Sequence, residues 1–235
     1  MYRFLPFNSV IYIYIQEQIE LLAEERILSR LAHLSEKQLG PIEFRVATSD
    51  DAFGIYRVLA SFGWPATPPA LRQTWYQTND QLDFVVVQYR LIMGYVSLVP
   101  SKPEAMEDMV SGRKKSWQMK ATDILPFESG KHYDLFTGIA VRDIAHRAAY
   151  TTKLVYGMRR QITIWRQSGI MIDRLLAHSA EKEGQQLAVL LGFREDQAQP
   201  GDLYPRFILD FAQPPVPYHE RKRKASEIKH HGLHL

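Results

Sequence analysis

Residues 133–193 restrict the fold more than any other segment of this 235-residue chain, because their pattern changes from strand to helix twice. Residues 134–141 form an almost continuous apolar run, which is typical of a strand covered on both faces. A tight turn and a long helix follow, then a second strand at 170–176 and a short helix at 181–190. Two strands joined by a helix in this way favour a parallel pair with a right-handed crossover.

Other predicted elements surround this segment. An amphipathic helix at 15–34 precedes the break at Gly40-Pro41, and its apolar stripe must dock on the domain or on a second copy of the chain, as in a homodimer. A polar stretch at 101–131 is predicted to be a surface excursion, with a lid or a specificity insert as the alternative. The remaining predictions are a strand at 42–46, helices at 49–62 and 70–78, strands at 83–88 and 91–99 joined by a hairpin at Tyr89-Arg90, and a final strand at 203–211.

These elements predict an α/β (α+β) fold, in which helices flank a mixed, strongly bent sheet and an extra helix precedes it. The composition agrees with one sizeable core, since 46% of the residues are hydrophobic and 23% are charged. We predict three parts: a helical extension at 1–40, the central domain at 41–212, and a basic, flexible tail at 213–235.

The positive charge lies at the C-terminal end. Residues 213–235 contain five Lys or Arg and two Glu, so the rest of the chain is balanced although its net charge is +3. A balanced body argues against a nucleic-acid-binding protein. The run Arg221-Lys222-Arg223-Lys224 is interpreted as solvated, with contact to RNA, DNA or an acidic lipid surface as the alternative. The tail histidines lack fixed geometry, and no metal site is predicted.

The composition also bears on location. The chain has no cysteine, which suits a reducing compartment. No apolar run approaches the ~18 residues that a membrane helix needs, and the apolar run at 9–15 has no small-residue cleavage site beside it. We therefore expect a soluble, cytoplasmic protein without a membrane partner.

The end of the second helix carries a family resemblance. Residues 188–194 read Ala-Val-Leu-Leu-Gly-Phe-Arg, where the glycine lets the chain leave the helix and the phenylalanine re-enters the core. With the order of elements over residues 42–211, this ending resembles the GCN5-related N-acetyltransferase (GNAT) superfamily. The resemblance implies a GNAT-like acyl-CoA N-acyltransferase fold, with acetyl-CoA or another acyl-CoA as co-substrate.

The resemblance also implies where CoA binds. Family members carry Arg/Gln-x-x-Gly-x-Gly/Ala ahead of the long helix, where backbone N–H groups and the helix dipole hold the pyrophosphate. Here histidine, alanine and threonine stand in place of the Arg/Gln, the central glycine and the last small residue. Backbone groups late in the preceding strand pair with the pantetheine arm. The implied cofactor residues are Ile139, Ala140, Val141, His146, Arg147, Ala148, Ala149, Tyr150, Thr151 and Thr152.

The sequence leaves several candidates for the catalytic groups. Acyl transfer to an amine needs a base for the amine and an acid for the leaving thiolate, and many family members use a tyrosine where this chain has Ala188. Tyr133 and Asp134, at the start of the first strand, and His178, after the second, are the candidate catalytic residues. Further alternatives are Glu128 as a base, Tyr150 and Tyr204 as phenols, and Trp64, Trp75 and Tyr76 as the lining of an acceptor pocket.

The resulting hypothesis is an N-acyltransferase that moves acetyl from acetyl-CoA to the amine of a small molecule or peptide. The alternative is a catalytically inactive protein of the same fold that binds a ligand or a partner, which Ala188 and the altered turn favour. A third hypothesis is an enzyme that acts on RNA or ribosomal targets through its basic tail.

Overall fold

A computed structural model describes residues 24–34, 38–63 and 65–228. The strands are β1 (Glu43–Val46), β2 (Asp83–Gln88), β3 (Leu91–Pro100), β4 (His132–Val141), β5 (Met171–His178), β6 (Arg194–Glu195) and β7 (Arg206–Asp210). They form one sheet in the order β1-β2-β3-β4-β5-β7-β6, with β4 and β5 parallel and the other described pairs antiparallel. The predicted mixed sheet is confirmed.

Seven helices are described. They are α1 (residues 24–32), α2 (Ala52–Ala60), α3 (Pro69–Thr78), α4 (Pro103–Val110), α5 (Arg147–Gln167), α6 (Lys182–Leu191) and α7 (Tyr218–Glu227). Helices α5 and α6 pack on one face of the sheet, here the α5 face, over the largest buried cluster. Helices α2, α3 and α4 cover the opposite face, here the α4 face, over smaller clusters. Successive side chains of a strand point to opposite faces of the sheet, so alternate strand residues belong to the clusters on the two faces.

The long helix α5 fits the apolar stripe that predicts it. Leu154, Met158, Ile162 and Trp165 are all buried in the main core, and the Trp165 ring meets the Phe84 ring edge-on at 5.6 Å. A Cβ on Gly157 would lie 2.4 Å from the ring of Phe44 in β1. The close approach of α5 to the sheet therefore depends on glycine at this position.

Two predicted junctions are confirmed in their backbone geometry. Tyr89 and Arg90 have φ values of +50° and +66°, as the two central residues of a type I′ hairpin turn require. Gly192 ends α6 with φ +102°, and the N–H of Phe193 donates to the carbonyl of Ala188 at 3.0 Å. Phe193 then enters the main core, as expected from the Leu-Gly-Phe ending.

Some predicted elements differ from the structure. The stretch at 101–131 is not only a surface excursion, because α4 buries Met106, Met109 and Val110 against the sheet. The final strand begins at Arg206 rather than at 203, and the two-residue strand β6 has no apolar pattern that would have predicted it. Both differences come from packing between distant segments, which a local pattern does not contain.

The two ends of the described chain pack on the central domain. In place of a flexible tail, α7 lies against α6, with Ala225 buried and Arg221 Nη1 donating to the Leu190 carbonyl at 2.7 Å. Leu31 of α1 is 1% exposed and belongs to the main core. The predicted division at residues 40 and 212 stays a prediction. The predicted start of the first helix at 15–23 and the histidines at 230, 231 and 234 lie outside the described residues.

Candidate active site

A split in the centre of the sheet is the main feature of the site. Strands β4 and β5 pair from His132–Met171 to Phe136–Leu176 and no further, although both strands continue. On its other edge β4 stays paired with β3 as far as Val141. On the α4 face, no described atom outside the two neighbouring residues lies within 4 Å of the place where a side chain on Gly138 would begin. The second half of β4 therefore faces an opening on its β5 side.

The peptide groups of β4 point alternately toward β3 and into the split. Arg142 donates its backbone N–H to the Met93 carbonyl at 2.9 Å, directly after β4. Because peptide groups of alternate residues point to the same neighbour in an antiparallel pair, those of Ala140 also face β3. The peptide groups of Ile139 and Val141 point into the split. An extended ligand can thus pair with Ile139 and Val141, while the peptide groups of Ala140 face β3.

The turn before α5 supplies backbone donors. His146 caps the helix with φ +69°, a left-handed conformation, and its carbonyl accepts the N–H of Ala149 at 2.9 Å. The N–H of Ala148 has no hydrogen-bond partner among residues 24–34, 38–63 and 65–228. A free N–H beside the positive end of a 21-residue helix suits an anion.

The side chains of this turn are mostly used within the protein. The His146 ring bonds the Leu34 carbonyl through Nε2 at 2.6 Å. Tyr150 is fully buried and donates its hydroxyl to Gln88 Oε1 at 2.5 Å, so this phenol holds α5 to the sheet and does not reach a ligand. Arg147 lies 3.6 Å from Asp143 and remains exposed, as does Thr152. Thr151 is partly exposed and bonds back to the Arg147 carbonyl at 2.9 Å.

Helix α1 reaches the same end of the sheet. Its Glu24 is 5% exposed and forms ion pairs with Arg57 of α2 and, at 2.5 Å, with Arg142. Burial lowers the pKa of Arg142, and the charge of Glu24 opposes this effect. The start of the β4–α5 turn is therefore fixed by a carboxylate from the N-terminal helix.

Tyr133 is a structural residue here. Its hydroxyl donates to the Pro126 carbonyl and accepts the backbone N–H of Glu128, both at 2.9 Å. Its ring is buried edge-on against Phe127 at 5.2 Å. The phenol closes the loop before β4, so the structure gives no support to Tyr133 as a catalytic acid.

Asp134 lies on the α4 face, at the edge of a groove of about 420 Å³ under α4. Its carboxylate accepts hydrogen bonds from Nε of Arg174 at 2.9 Å and from Nη2 of the same guanidinium. The hydrogen bond that Arg174 donates to Asp134 raises the pKa of Arg174. A carboxylate held in this pair is a better electrostatic group than a base.

His178 has the most reactive surroundings of the three candidates. It lies two residues beyond the last β4–β5 pair, with its ring against Phe136 at 5.5 Å and stacked on Tyr204 at 5.2 Å. Nδ1 lies 2.8 Å from the Met109 carbonyl. Because a carbonyl can only accept, Nδ1 carries the proton, and the lone pair of the neutral ring is on Nε2.

Burial lowers the pKa of His178 to about 4. The hydrogen bond to Met109 raises this pKa, and the charge of Lys115 lowers it further. The ring is therefore neutral at physiological pH. Lys115 Nζ also donates to the Tyr204 hydroxyl at 3.0 Å and lies 4.4 Å from the centre of that ring. His178, Lys115 and Tyr204 form a cluster, which we call the His178 cluster. It lies beside the groove under α4, because Arg206, which lines that groove, is the β7 residue directly opposite His178 in the sheet.

A second cluster on the α4 face is a buried ion pair. Asp83, 1% exposed, accepts hydrogen bonds from Arg72 at 2.5 Å, from the Tyr76 hydroxyl at 2.6 Å and from Ser97. Burial and the charge of Asp83 raise the pKa of Tyr76. Arg72 and Tyr76 lie on α3, Asp83 on β2 and Ser97 on β3, and the sequence gives no signal that these elements bring them together.

Of the other expected acceptor residues, Trp75 has an internal partner. Trp75 is 2% exposed, and its Nε1 donates to the Met119 carbonyl at 3.3 Å. Trp64 lies outside the described residues. Ala188 is buried in α6, so no phenol stands at the position where the family has one.

Within the described part of the chain, no three His, Asp or Glu residues lie together in a way that would hold a metal ion. No helix in those same ranges is both long enough and apolar enough to cross a bilayer.

No family model and no curated protein matches this chain. Solved structures do. Ard1 from Thermoplasma volcanium is 11% identical with a TM-score of 0.47, over 72% of this chain and 97% of that one. The loading GNATL domain of CurA from Lyngbya majuscula is 12% identical with a TM-score of 0.49, over 73% and 98%. The protein yncA from Salmonella typhimurium, solved with its cofactor acetyl-CoA, is 14% identical with a TM-score of 0.48, over 76% and 98%.

These identities lie below the range in which activity follows from likeness, so the strand order itself decides the fold. Both parallel central strands, the crossover helix α5 and the glycine-ended helix α6 stand where the resemblance implies. The chain therefore has a GNAT-like α/β fold with a mixed, split sheet.

Proposed function

We propose that the protein is an acyl-CoA-dependent N-acyltransferase that moves an acyl group, in the simplest case acetyl, to an amine. The observation that carries this proposal is the split at β4, where the free peptide edge of Ile139 and Val141 lies on the same side as His178. A split of this kind admits an extended arm as an added strand. Acyl-CoA is a cytoplasmic metabolite, so the proposal includes a cytoplasmic location.

Residues of the β4–α5 region fit the two polar parts of a CoA-type group, its pyrophosphate and the amides of its pantetheine arm. The free N–H of Ala148 at the N-terminus of α5 suits a pyrophosphate, and Arg147 supplies an exposed positive charge beside it. Ile139 and Val141 offer peptide groups to the amides of a pantetheine arm. When bound, acyl-CoA supplies a thioester-activated acyl group.

The His178 cluster provides acid–base groups at the split. Nε2 of the neutral His178 ring accepts a proton from the amine of the acceptor. Tyr204 accepts a hydrogen bond from Lys115 and keeps its own hydroxyl proton for donation to the leaving group. Phe136 and the Tyr204 ring enclose the imidazole and limit the access of water.

The groove under α4 is the proposed acceptor site. It runs along the α4 face from Asp134 to Arg206, next to the His178 cluster, and its volume of about 420 Å³ suits a small amine or one side chain of a peptide. Its carboxylates are Asp134, Glu107 and Asp196, of which the first two are each bound to an arginine. The three carboxylates outnumber the lining arginines Arg174 and Arg206, so the groove suits an ammonium group without removing its proton.

Isothermal titration with acetyl-CoA and longer acyl-CoAs tests the proposal. Thr151→Glu should abolish binding, because it places a carboxylate at the start of α5 where the pyrophosphate is expected. Ser226→Glu on α7 is a matched control, since Ser226 is also exposed and also bonds back to a backbone carbonyl. If the unmodified protein binds no acyl-CoA, or if Thr151→Glu binds as well as the control, the proposal is wrong.

A protein that binds CoA without catalysis is the second candidate. Ala188 favours it, because no acid stands at the position that the family uses, and His146 favours it, because its ring is held by Leu34. Binding of acetyl-CoA without turnover of a broad amine panel would support this candidate. Turnover that depends on His178 would exclude it.

A further inference from the structure

A second groove opens on the α5 face, and it shares Arg174, Asp196 and Ile208 with the lining of the groove under α4. It lies between the C-terminal half of α5, the end of α6, strand β7 and residues 213–216, and its volume is about 770 Å³. We call it the arginine groove, after the five arginines that line it. One of them, Arg174, is paired with Asp134. The other four are Arg159 and Arg166 of α5, Arg194 of β6 and Arg221 of α7.

These four arginines have unusual partners. Arginines elsewhere in the fold, such as Arg72 and Arg206, bind carboxylates. Within residues 24–34, 38–63 and 65–228, none of the four has a carboxylate oxygen within 4 Å. Their hydrogen bonds go to the carbonyls of Leu191, Ile172, Pro214 and Leu190 and to the side chain of Gln213. Their charges are therefore oriented but not neutralised.

Acidic residues of the groove do not cancel this charge. Asp210 accepts the N–H of Ala212 at 2.8 Å and the side-chain amide of Gln213 at 2.9 Å. Glu195 and Asp196 also line the groove, while its fifth arginine, Arg174, is paired with Asp134. The four arginines exceed the three carboxylates, and Nε of Arg221 is buried without a partner among the described residues.

The floor of the groove is apolar. The Arg166 guanidinium lies 4.5 Å from the centre of the Phe211 ring, and further apolar lining comes from Met158, Ile162 and Leu209. A volume of this size is within the range of small-molecule sites, about 300–1,000 Å³. Guanidinium groups around an apolar floor suit a ligand with separate anionic groups on a flat or apolar body.

We propose that the arginine groove binds a small organic polyanion, a molecule with at least two phosphate or carboxylate groups on an apolar or aromatic body. The site is distinct from the turn before α5. Arg159 and Arg166 follow Arg147 by 12 and 19 residues on the same helix, which at the helical rise is roughly 18 and 29 Å along the axis. The proposal holds whether or not the protein transfers acyl groups.

The groove also explains the basic run at 221–224. Arg221 turns inward to the Leu190 carbonyl, while Lys222, Arg223 and Lys224 are exposed. One residue of the run thus belongs to a site, and the others form a solvated face of α7. Arg223, which pairs with Glu227 at 3.3 Å, offers a matched control outside the groove.

Isothermal titration with pyrophosphate, ATP and citrate tests the proposal at low salt. At least one probe should bind, and Arg166→Ala and Arg194→Ala should each weaken binding about tenfold, as expected for one lost charged hydrogen bond. Arg223→Ala should bind as the unmodified protein does. Preference for ATP and pyrophosphate over citrate would identify phosphate as the anionic group, and the reverse would identify carboxylate.

Arg194→Lys separates charge from geometry, because it keeps the cation and loses the planar fork. It should bind between the unmodified protein and Arg194→Ala. Thermal unfolding of each variant checks that it is folded, and Arg159 is exposed and offers a replacement if one variant is not. Binding to no probe below about 1 mM, or equal binding by groove and control variants, would overturn the proposal. An RNA oligonucleotide that binds tightly and loses affinity equally in Arg223→Ala would overturn it too.

Discussion

Two polar clusters lie on the α4 face, and they differ in what each leaves unused. Asp83 is enclosed, and Arg72, Tyr76 and Ser97 all direct hydrogen bonds to it. His178 uses one ring nitrogen, and no hydrogen bond from the described residues reaches the other. A closed cluster can only hold the fold together. A cluster with a free lone pair beside a groove can also take part in chemistry, so the following predictions separate stability from reactivity.

The largest expected effect is on the closed cluster. Asp83→Ala should lower the free energy of unfolding by about 3–5 kcal/mol, because it leaves the Arg72 charge buried without its carboxylate. Urea unfolding followed by circular dichroism measures this. Replacing both residues together by leucine and methionine should cost less than Asp83→Ala alone. A loss below about 1 kcal/mol for the single variant, as at exposed pairs, would contradict the structural role.

The second prediction concerns the pH dependence of stability at the open cluster. Burial lowers the pKa of His178 to about 4 in the folded protein, below the ordinary value of about 6.5 in the unfolded chain. Between these values the unfolded chain binds the additional proton, so stability is complete above about pH 6.5 and falls toward pH 4. The loss from this group should be about 3 kcal/mol.

Urea unfolding across this pH range, compared between the unmodified protein and His178→Gln, isolates the effect. Glutamine keeps a donor for the Met109 carbonyl and does not titrate. The difference in stability between the two proteins should therefore shrink or reverse as the pH falls. Parallel curves would show that His178 is not buried in its neutral form.

The sequence could predict the strands and helices that carry these clusters, but not which of their side chains meet in the fold. Local patterns located the strands and helices, the hairpin at Tyr89-Arg90 and the end of α6, because periodicity and turn chemistry depend on neighbouring residues. They named His178 but not Lys115, since the two meet only when α4 and the loop after it fold onto β5. The closed cluster was missed for the same reason, as Arg72 and Asp83 belong to different elements.

Tyr133 and α7 show the opposite error. A tyrosine at a strand start was a reasonable catalytic candidate, but the partners of its hydroxyl, Pro126 and Glu128, can be recognised only in the folded loop. Residues 213–228 are polar and basic, which predicts a solvated tail. Their docking depends on Arg221 and Ala225 meeting α6, and two contacts of this kind leave no periodic signal.

The third prediction tests whether the open cluster is reactive, and it rests on the proposed acyltransferase. Tyr204→Phe should reduce kcat about 100-fold with little change in the KM for acetyl-CoA, because it removes the proton donor that Lys115 orients. Tyr133→Phe is the matched control, since it also loses a phenol that lies within the fold. Steady-state rates of the two variants decide the matter. Equal effects in both would show that Tyr204 is structural as well.

The smallest expected effect comes from an exposed ion pair with the same chemistry as the closed cluster. Asp134 and Arg174 form two hydrogen bonds, yet their side chains are 29% and 47% exposed, against 1% and 3% for Asp83 and Arg72. A double-mutant cycle on Asp134→Asn and Arg174→Gln should give a coupling of about 0.2–1 kcal/mol, which added salt reduces. The same cycle on Asp83→Asn and Arg72→Gln should give several times more and resist salt. If the two couplings are equal, burial does not distinguish the clusters, and the assignment of Asp83 to the fold and of His178 to chemistry loses its basis.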